Sequence, residues 1–277
     1  MSDRIGASAR TDTGSVRAVN EDSYLARSPL FIVADGMGGH ARGDKASQQA
    51  IREFDERIPS GSVPTPDEVL DTVAAANKAV RGLSQVDDSG VAVAGTTLTG
   101  VVLVRTAEGA QRHWMVVNVG DSRVYNWDGR TLTQLSVDHS AVQELLDAGA
   151  IRPDEVAQHP ERNVITRALG ADAAVEVDVW LLPASGSQTF VVCSDGLCKE
   201  LTDEQIAHIL AAHASSDAPP ASVADALVDA AISAGGRDNV TVVVVESQMG
   251  DVGDDRESTL DRAAATSEFL EDTRPRS

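Results

Sequence analysis

LFIVADG, residues 30–36, decides how this chain is read: a short, apolar run that delivers an aspartate to its end. Three more runs share that design, VVNVGDS (116–122), FVVCSDG (190–196) and RDNVTVVVV (237–245). Runs this short and this apolar read as buried strands. Asp35, Asp121 and Asp195 stand at strand exits, and Asp238 stands just before a strand entry. An ionised carboxylate at the lip of a buried strand is costly unless a cation or a good donor meets it. A single Asp-Gly after a strand is ordinarily a turn or a helix cap. Four such sites, with Glu21-Asp22 in an early loop, invite a shared explanation. Strands lying side by side in packed sheets would bring the carboxylates into one all-oxygen, anionic pocket. Such a pocket suits Mg²⁺ or Mn²⁺ rather than zinc.

The bulk numbers narrow the class. At 277 residues and 42% hydrophobic, the chain can supply a large core, and with 3% aromatic residues that core is aliphatic. A formal net charge of −20 argues against nucleic acid or an anionic membrane surface as partner. It also poses a problem for an anionic substrate that bound metal would solve locally. No apolar stretch approaches the ~20 residues of a membrane span, and MSDRIGASAR lacks the apolar region of a secretory signal. Cys193 and Cys198 read as buried thiols of a reducing cytosol, not a disulfide framework. A soluble, cytoplasmic, monomeric globular protein is expected.

Along the chain, strands are expected over Ile5–Thr11, a hairpin at Ser23–Leu25 and Leu30–Ala34, and a helix from Gly43 to Ile58. Thr65-Pro66-Asp67-Glu68 is a helix start with a capping-box pair and Pro at the first position. The middle reads as strands Thr97–Val104, Trp114–Val119, Arg123–Trp127 and Leu132–Leu135, then a helix from Asp138 to Asp147 ending at Gly149. Residues 150–163 (AIRPDEVAQHPERN) are polar and aperiodic, an expected exposed flap. Strands follow at Val175–Leu181, Gln188–Ser194 and Val240–Glu246. Between them lie a helix begun by Thr202-x-x-Gln205 and one over Ser222–Ser233. The expected domain is 1–246, with an acidic, disordered tail over 247–277. Strands come in groups and helices in pairs, so βαβ alternation is absent, which favours antiparallel sheets with helices packed outside.

Several chemistries are missing. There is no GxxxxGK[ST] loop and no GxSxG elbow. Lys199 and Glu204 occupy the positions where a cysteine-nucleophile phosphatase loop needs arginine. No HExxH or Cys/His cluster suggests zinc, and the six histidines are scattered. Carboxylates, glycines and one arginine remain. Two divalent ions bridged by a carboxylate lower the pKa of a trapped water and neutralise a phosphoryl group during in-line attack, with no protein nucleophile. Arg17, a few residues before Glu21-Asp22, suits bidentate contact with a phosphate beside such ions.

The blocks GSVRAVNEDSY (14–24), FIVADGMGGHARGDKAS (31–47), AGTTLTGVVL (94–103), VVNVGDSRVYNWDG (116–129), LSVDHS (135–140), NVITRALG (163–170), FVVCSDGL (190–197) and GGRDNVTVVVV (235–245) run in this order. In this the chain resembles the metal-dependent PP2C-type (PPM) protein serine/threonine phosphatases, and most the compact bacterial members. Each block alone is weak; eight in sequence are specific. The resemblance implies an α+β fold, an αββα sandwich of two antiparallel sheets flanked by helix pairs, with the metal centre at one end. It implies that Asp35 bridges two metals, that the Gly36 carbonyl binds one, and that Asp195 and Asp238 hold the other. Asp121 with Asp195 matches a third, weaker site. Glu21 and Asp22 would hydrogen-bond the metals' waters, Arg17 would bind phosphate, and the flap would influence substrate access. The implied cofactors are two or three Mn²⁺ or Mg²⁺ ions. The implied partners are phosphoproteins, among them a Ser/Thr kinase that the enzyme opposes. Many eukaryotic relatives carry histidine after the Asp-Gly, where this chain has Met37; His40 lies three residues on, and the source of the leaving-group proton stays open.

Two rivals compete. Gly36-Met37-Gly38-Gly39-His40-Ala41 satisfies a dinucleotide GxGxxA, but Asp35 would repel a pyrophosphate, and Asp55 and Glu56 lie in a helical stretch where a second strand should end. The other is a phosphatase-like binding or regulatory module that has lost catalysis. Such relatives lose metal carboxylates, whereas all the matched ones are present here.

Overall fold

Both faces of the apolar strands are buried, and each face meets a different layer. In Leu30–Met37, Leu30 and Ile32 join one apolar cluster while Phe31 and Val33 join another. Val102 and Val104 split from Val101 and Leu103 in the same way, as do Val242 and Val244 from Val243 and Val245. Side chains alternate between faces with period two, so a run with no polar member belongs to a sheet covered on both sides.

The computed structural model describes residues 3–38, 42–87, 90–92, 94–106, 111–215 and 222–250. One sheet orders its strands β1 (Arg4–Asp12), β13 (Val240–Met249), β12 (Gly186–Cys193), β9 (Arg123–Trp127), β10 (Leu132–Gln134). The other runs β11 (Asp178–Pro183), β8 (Arg112–Val119), β7 (Leu98–Arg105), β3 (Leu30–Met37), β2 (Asp22–Arg27), with β6 (Gly95–Thr96) paired to the end of β3. Neighbours in both are antiparallel. A separate hairpin joins β4 (Gln85–Asp87) to β5 (Gly90–Ala92). Between the sheets, Trp114 packs against Phe31 and Phe190, with ring centroids 6.1 and 5.5 Å apart. Helices α1 (Gly43–Arg57) and α2 (Pro66–Arg81) cover one outer face through Ala46, Ala50, Phe54, Val69, Val73 and Val80. Helices α5 (Asp195–Glu200), α6 (Asp203–Ala214) and α7 (Val223–Ala234) cover the other through Leu197, Ile206, Leu210, Leu227 and Val228. The result is the expected αββα sandwich.

Some boundaries differ from the sequence reading, each for a local reason. The helix expected from Asp138 starts later, as α3 (Ala141–Asp147), because Asp138 is held by Arg123 and Ser140 takes the cap, accepting from the Gln143 N–H at 3.3 Å. The 150–163 flap contains one helical turn, α4 (Pro153–Val156), started by Pro153 and by Glu155 accepting from the Arg152 N–H at 2.8 Å. The strand expected at Val175–Leu181 is β11, Asp178–Pro183; Val175 and Val177 instead pack against the core ahead of it. β13 continues to Met249, past the expected start of the tail, because β1 pairs with it as far as Gln248 and β12 as far as Met249: Ser247 faces Ile5 and Gln188. Residues 251–277 of that tail lie outside the described residues.

Candidate metal centre

The β2–β3 register sets Asp22 opposite Asp35. Asp35 continues the inward series of Phe31 and Val33, so its carboxylate enters the space between the sheets at one end of the sandwich. The corner between β6 and β7 clamps its backbone: the Asp35 N–H donates to Thr97 Oγ1, while Thr97 N and Thr96 Oγ1 donate to its carbonyl, each at 2.9 Å. Gly36 follows where two segments come too close for a side chain. A Cβ there would lie 2.0 Å from the Gly43 carbonyl oxygen and 2.5 Å from that of Glu21.

Asp22 bolts the two sheets together. Its Oδ2 accepts from Ser194 Oγ and Thr241 Oγ1, both at 2.7 Å, so a carboxylate of one sheet is held by hydroxyls of the other. Asp121 leaves β8, Asp195 opens α5 and Asp238 precedes β13; all three strand ends meet at this end of the sandwich. Asp35 lies within electrostatic reach of Asp22, Asp195, Asp121 and Asp238. Burial, then the repulsion of these neighbours, pushes its carboxyl well above the usual range. Burial raises Asp22 to about 7 against the pull of the two hydroxyls, and raises Asp121 to about 7 with Asp195 and Asp138 adding to it. Asp195 and Glu21 are also raised, chiefly by burial.

One oxygen each of Asp22, Asp121 and Asp195 is buried without a hydrogen-bond partner among the described residues. Buried carboxylate oxygens ordinarily have partners, and leaving three without is expensive. Hard oxygen donors that nothing else satisfies fit a divalent cation such as Mg²⁺ or Mn²⁺. Two side-chain cations already lean on the cluster. Lys199, one turn after Asp195 on α5, contacts the Asp195 carboxylate and stands 3.2 Å from Asp238 Oδ2. Arg17 Nη2 lies 2.9 Å from the oxygens of Asp238. Arg17 is thus paired with a carboxylate, its side chain half-exposed. Among the described residues, no three acidic, histidine or cysteine side chains converge tightly enough to grip one ion.

Three contributors escaped the sequence reading. Lys199 could be found only through its four-residue spacing from Asp195 on a helix, and α5 is too short to show periodicity. Asn239 sews down the 12–21 loop: its side-chain amide donates to the Thr13 and Val19 carbonyls at 2.9 and 3.0 Å and accepts from the Glu21 N–H at 2.8 Å. His139, buried, accepts from the Gly120 N–H at Nδ1 (3.0 Å), and its own peptide N–H donates to the Gly120 carbonyl (3.0 Å). Its Nε2 faces Asp178 and Arg167. The LSVDHS and NVITRALG blocks therefore brace the turn that carries Asp121. His40 lies outside the described residues.

A cleft of about 650 Å³ opens beside the centre, with Asp121, Asp195, Asp238 and Lys199 on one side and Pro153 and Arg162 of the 150–163 segment on the other. Residues 15–230 match the family model described as protein phosphatase 2C. The chain belongs to the protein phosphatase 2C family. It is 36% identical over 261 residues to the serine/threonine phosphatase stp of Listeria monocytogenes, covering 90% of this chain and 98% of the relative. The PPM Ser-Thr phosphatase MsPP of Mycobacterium smegmatis, solved with cacodylate, superposes with a TM-score of 0.73 at 36% identity over 87% of this chain and 97% of that one. The catalytic domain of the serine/threonine phosphatase PstP, solved with 2 manganese ions, superposes with a TM-score of 0.72 at 35% identity, covering 90% of this chain and all of that one. As a protein phosphatase 2C of the bacterial branch, the chain is a protein serine/threonine phosphatase.

Proposed function

We propose that this phosphatase 2C hydrolyses phosphoserine and phosphothreonine in proteins at a binuclear Mn²⁺ or Mg²⁺ centre built on Asp35, the Gly36 carbonyl, Asp195 and Asp238. Asp121 adds a donor for a third ion, as the resemblance implies. The observation that carries the reading is the set of three buried, unpartnered oxygens on Asp22, Asp121 and Asp195 around Asp35. Ions bound there would lower the pKa of a trapped water and neutralise the phosphoryl group. The chain's own residues do the rest. Asp35 and Asp195 supply fixed oxygens from rigid strand ends. Asp22, held by two hydroxyls, and Glu21, whose N–H donates to Asn239, would accept hydrogen bonds from the ions' waters. Arg17, half-exposed on a loop at the rim and paired with Asp238, would supply the guanidinium that contacts a bound phosphate.

The cleft flanked by the 150–163 segment would take the phosphorylated peptide. Its substrates would be phosphoproteins, with a Ser/Thr kinase as the opposing activity, encountered by a cytoplasmic monomer. In support of that setting, both cysteines are free, and no helix among the described residues is long and apolar enough to cross a membrane. Phosphate release from a phosphothreonine peptide, measured with Mn²⁺, with Mg²⁺ and with EDTA, tests the proposal. Turnover should need added metal and fall by at least ~100-fold in Asp195→Asn. Full activity in that variant, or in EDTA, would overturn the metal assignment.

A further inference from the structure

The two cysteines flank the strand-to-helix corner that carries Asp195. Cys193 ends β12 and is fully buried; Cys198 sits on α5, partly exposed, on the wall of the cleft. Their sulfurs are 3.7 Å apart. Cys198 Sγ lies 3.3 Å from Tyr125 Oη, which in turn accepts from Arg123 Nη1 at 3.0 Å and lies 3.1 Å from Asp203 Oδ1. The phenol has one proton to give, and it can turn from Asp203 to a thiolate at Cys198. The hydrogen bond with Cys193, then the Arg123 guanidinium and the Tyr125 hydroxyl, hold Cys198 below the usual thiol range against its burial. Cys198 belongs to the wall of the cleft, and Cys193 lies behind it with its sulfur in contact distance, the arrangement of an attacking and a resolving cysteine.

We propose that Cys198 and Cys193 are a peroxide-responsive thiol pair that closes reversibly to a disulfide under Asp195. The Cys198 thiolate attacks a hydroperoxide oxygen; the S–O bond forms, the O–O bond breaks, and hydroxide (or alkoxide) leaves and takes a proton. Cys193 then attacks the sulfenic sulfur, forming the S–S bond and releasing water that carries the Cys193 proton. Two thiols are oxidised and one peroxide is reduced, and a dithiol reverses the step. Drawing the sulfurs from 3.7 Å to bonding distance pulls the first turn of α5 toward β12, and that turn begins with Asp195. The oxidised enzyme loses its metal-dependent turnover. This last consequence rests on the proposed function; the oxidation itself does not.

The test treats the full chain with hydrogen peroxide and follows intact mass, free thiols and phosphopeptide turnover. The expected result is monomer lighter by two hydrogen masses, with free thiols falling from two to none and turnover lost, all restored by dithiothreitol. Cys193→Ala should stop at a sulfenic acid on Cys198 that dimedone traps, and Cys198→Ala should leave the Cys193 thiol unoxidised. Peroxide that leaves both wild-type thiols free, or links two chains, or carries Cys198 to a sulfinic acid, would overturn the proposal. Turnover retained by the intramolecular disulfide form would overturn its effect on Asp195. Absence of turnover in the reduced, metal-supplied enzyme would instead count against the phosphatase centre, and the mass measurement would still decide the thiol pair.

Discussion

Asp22 is the residue whose role depends most on its surroundings. In sequence it is one acid in a loop; in the fold it links the sheets through two hydroxyls and keeps one oxygen unsatisfied. Its pKa and that of Asp121 rise to about 7 from an ordinary 3.8. Between those values the folded, metal-free chain binds more protons than the unfolded chain, so its stability falls as pH rises. The contribution is fully present below about pH 4 and gone once the pH has passed about 7. Urea midpoints in EDTA should therefore decline between about pH 5 and about pH 8, with a shallower slope in Asp22→Asn. An identical slope in that variant would show that Asp22 is already ionised across this range.

Helix starts carry the element scale, and they do two different jobs. Thr65, Thr202 and Ser222 each cap a helix with a reciprocal Glu, Gln or Asp three residues on, a pattern visible in the sequence because it is local. Ser194 occupies the same position before α5 but makes no cap; its hydroxyl donates to Asp22 and accepts from the Thr241 N–H at 2.9 Å. Thr65→Ala should cost about 1 kcal/mol, the worth of an exposed cap. Ser194→Ala removes one of the two hydroxyl donors to the buried Asp22 carboxylate and the side-chain acceptor of the Thr241 N–H, and should cost about 2–3 kcal/mol. Urea denaturation of the two variants side by side checks the order; equal losses would mean that Ser194 is an ordinary cap. The helix α5 itself was not legible. Its six residues follow a strand without a turn, so no 3.6-residue pattern has room to appear.

At the scale of the molecule, two sheets share one aliphatic layer, and that layer sets the spacing of the strand ends. Phe190 sits at its centre against Trp114. Phe190→Ala should cost about 3–5 kcal/mol, a large share of a total stability of about 5–15 kcal/mol. A loss near the ~0.5 kcal/mol of surface substitutions, measured by urea unfolding, would mean that the sheets do not meet through this contact.

The order of strands and helix pairs and the identity of the strand-end aspartates follow from short-range pattern, because period and capping are written within ten or so neighbouring residues. The eight ordered blocks carry the family resemblance because each is contiguous in sequence. Which groups touch is another matter. Asp22 meets Ser194 and Thr241 across 172 and 219 positions of chain. His139 accepting from Gly120, Arg17 and Lys199 leaning on Asp238, and the 3.7 Å between two thiols also wait on packing. Such contacts depend on sheet register and on the distance between layers, set by the whole core at once, so only the tertiary structure could decide them.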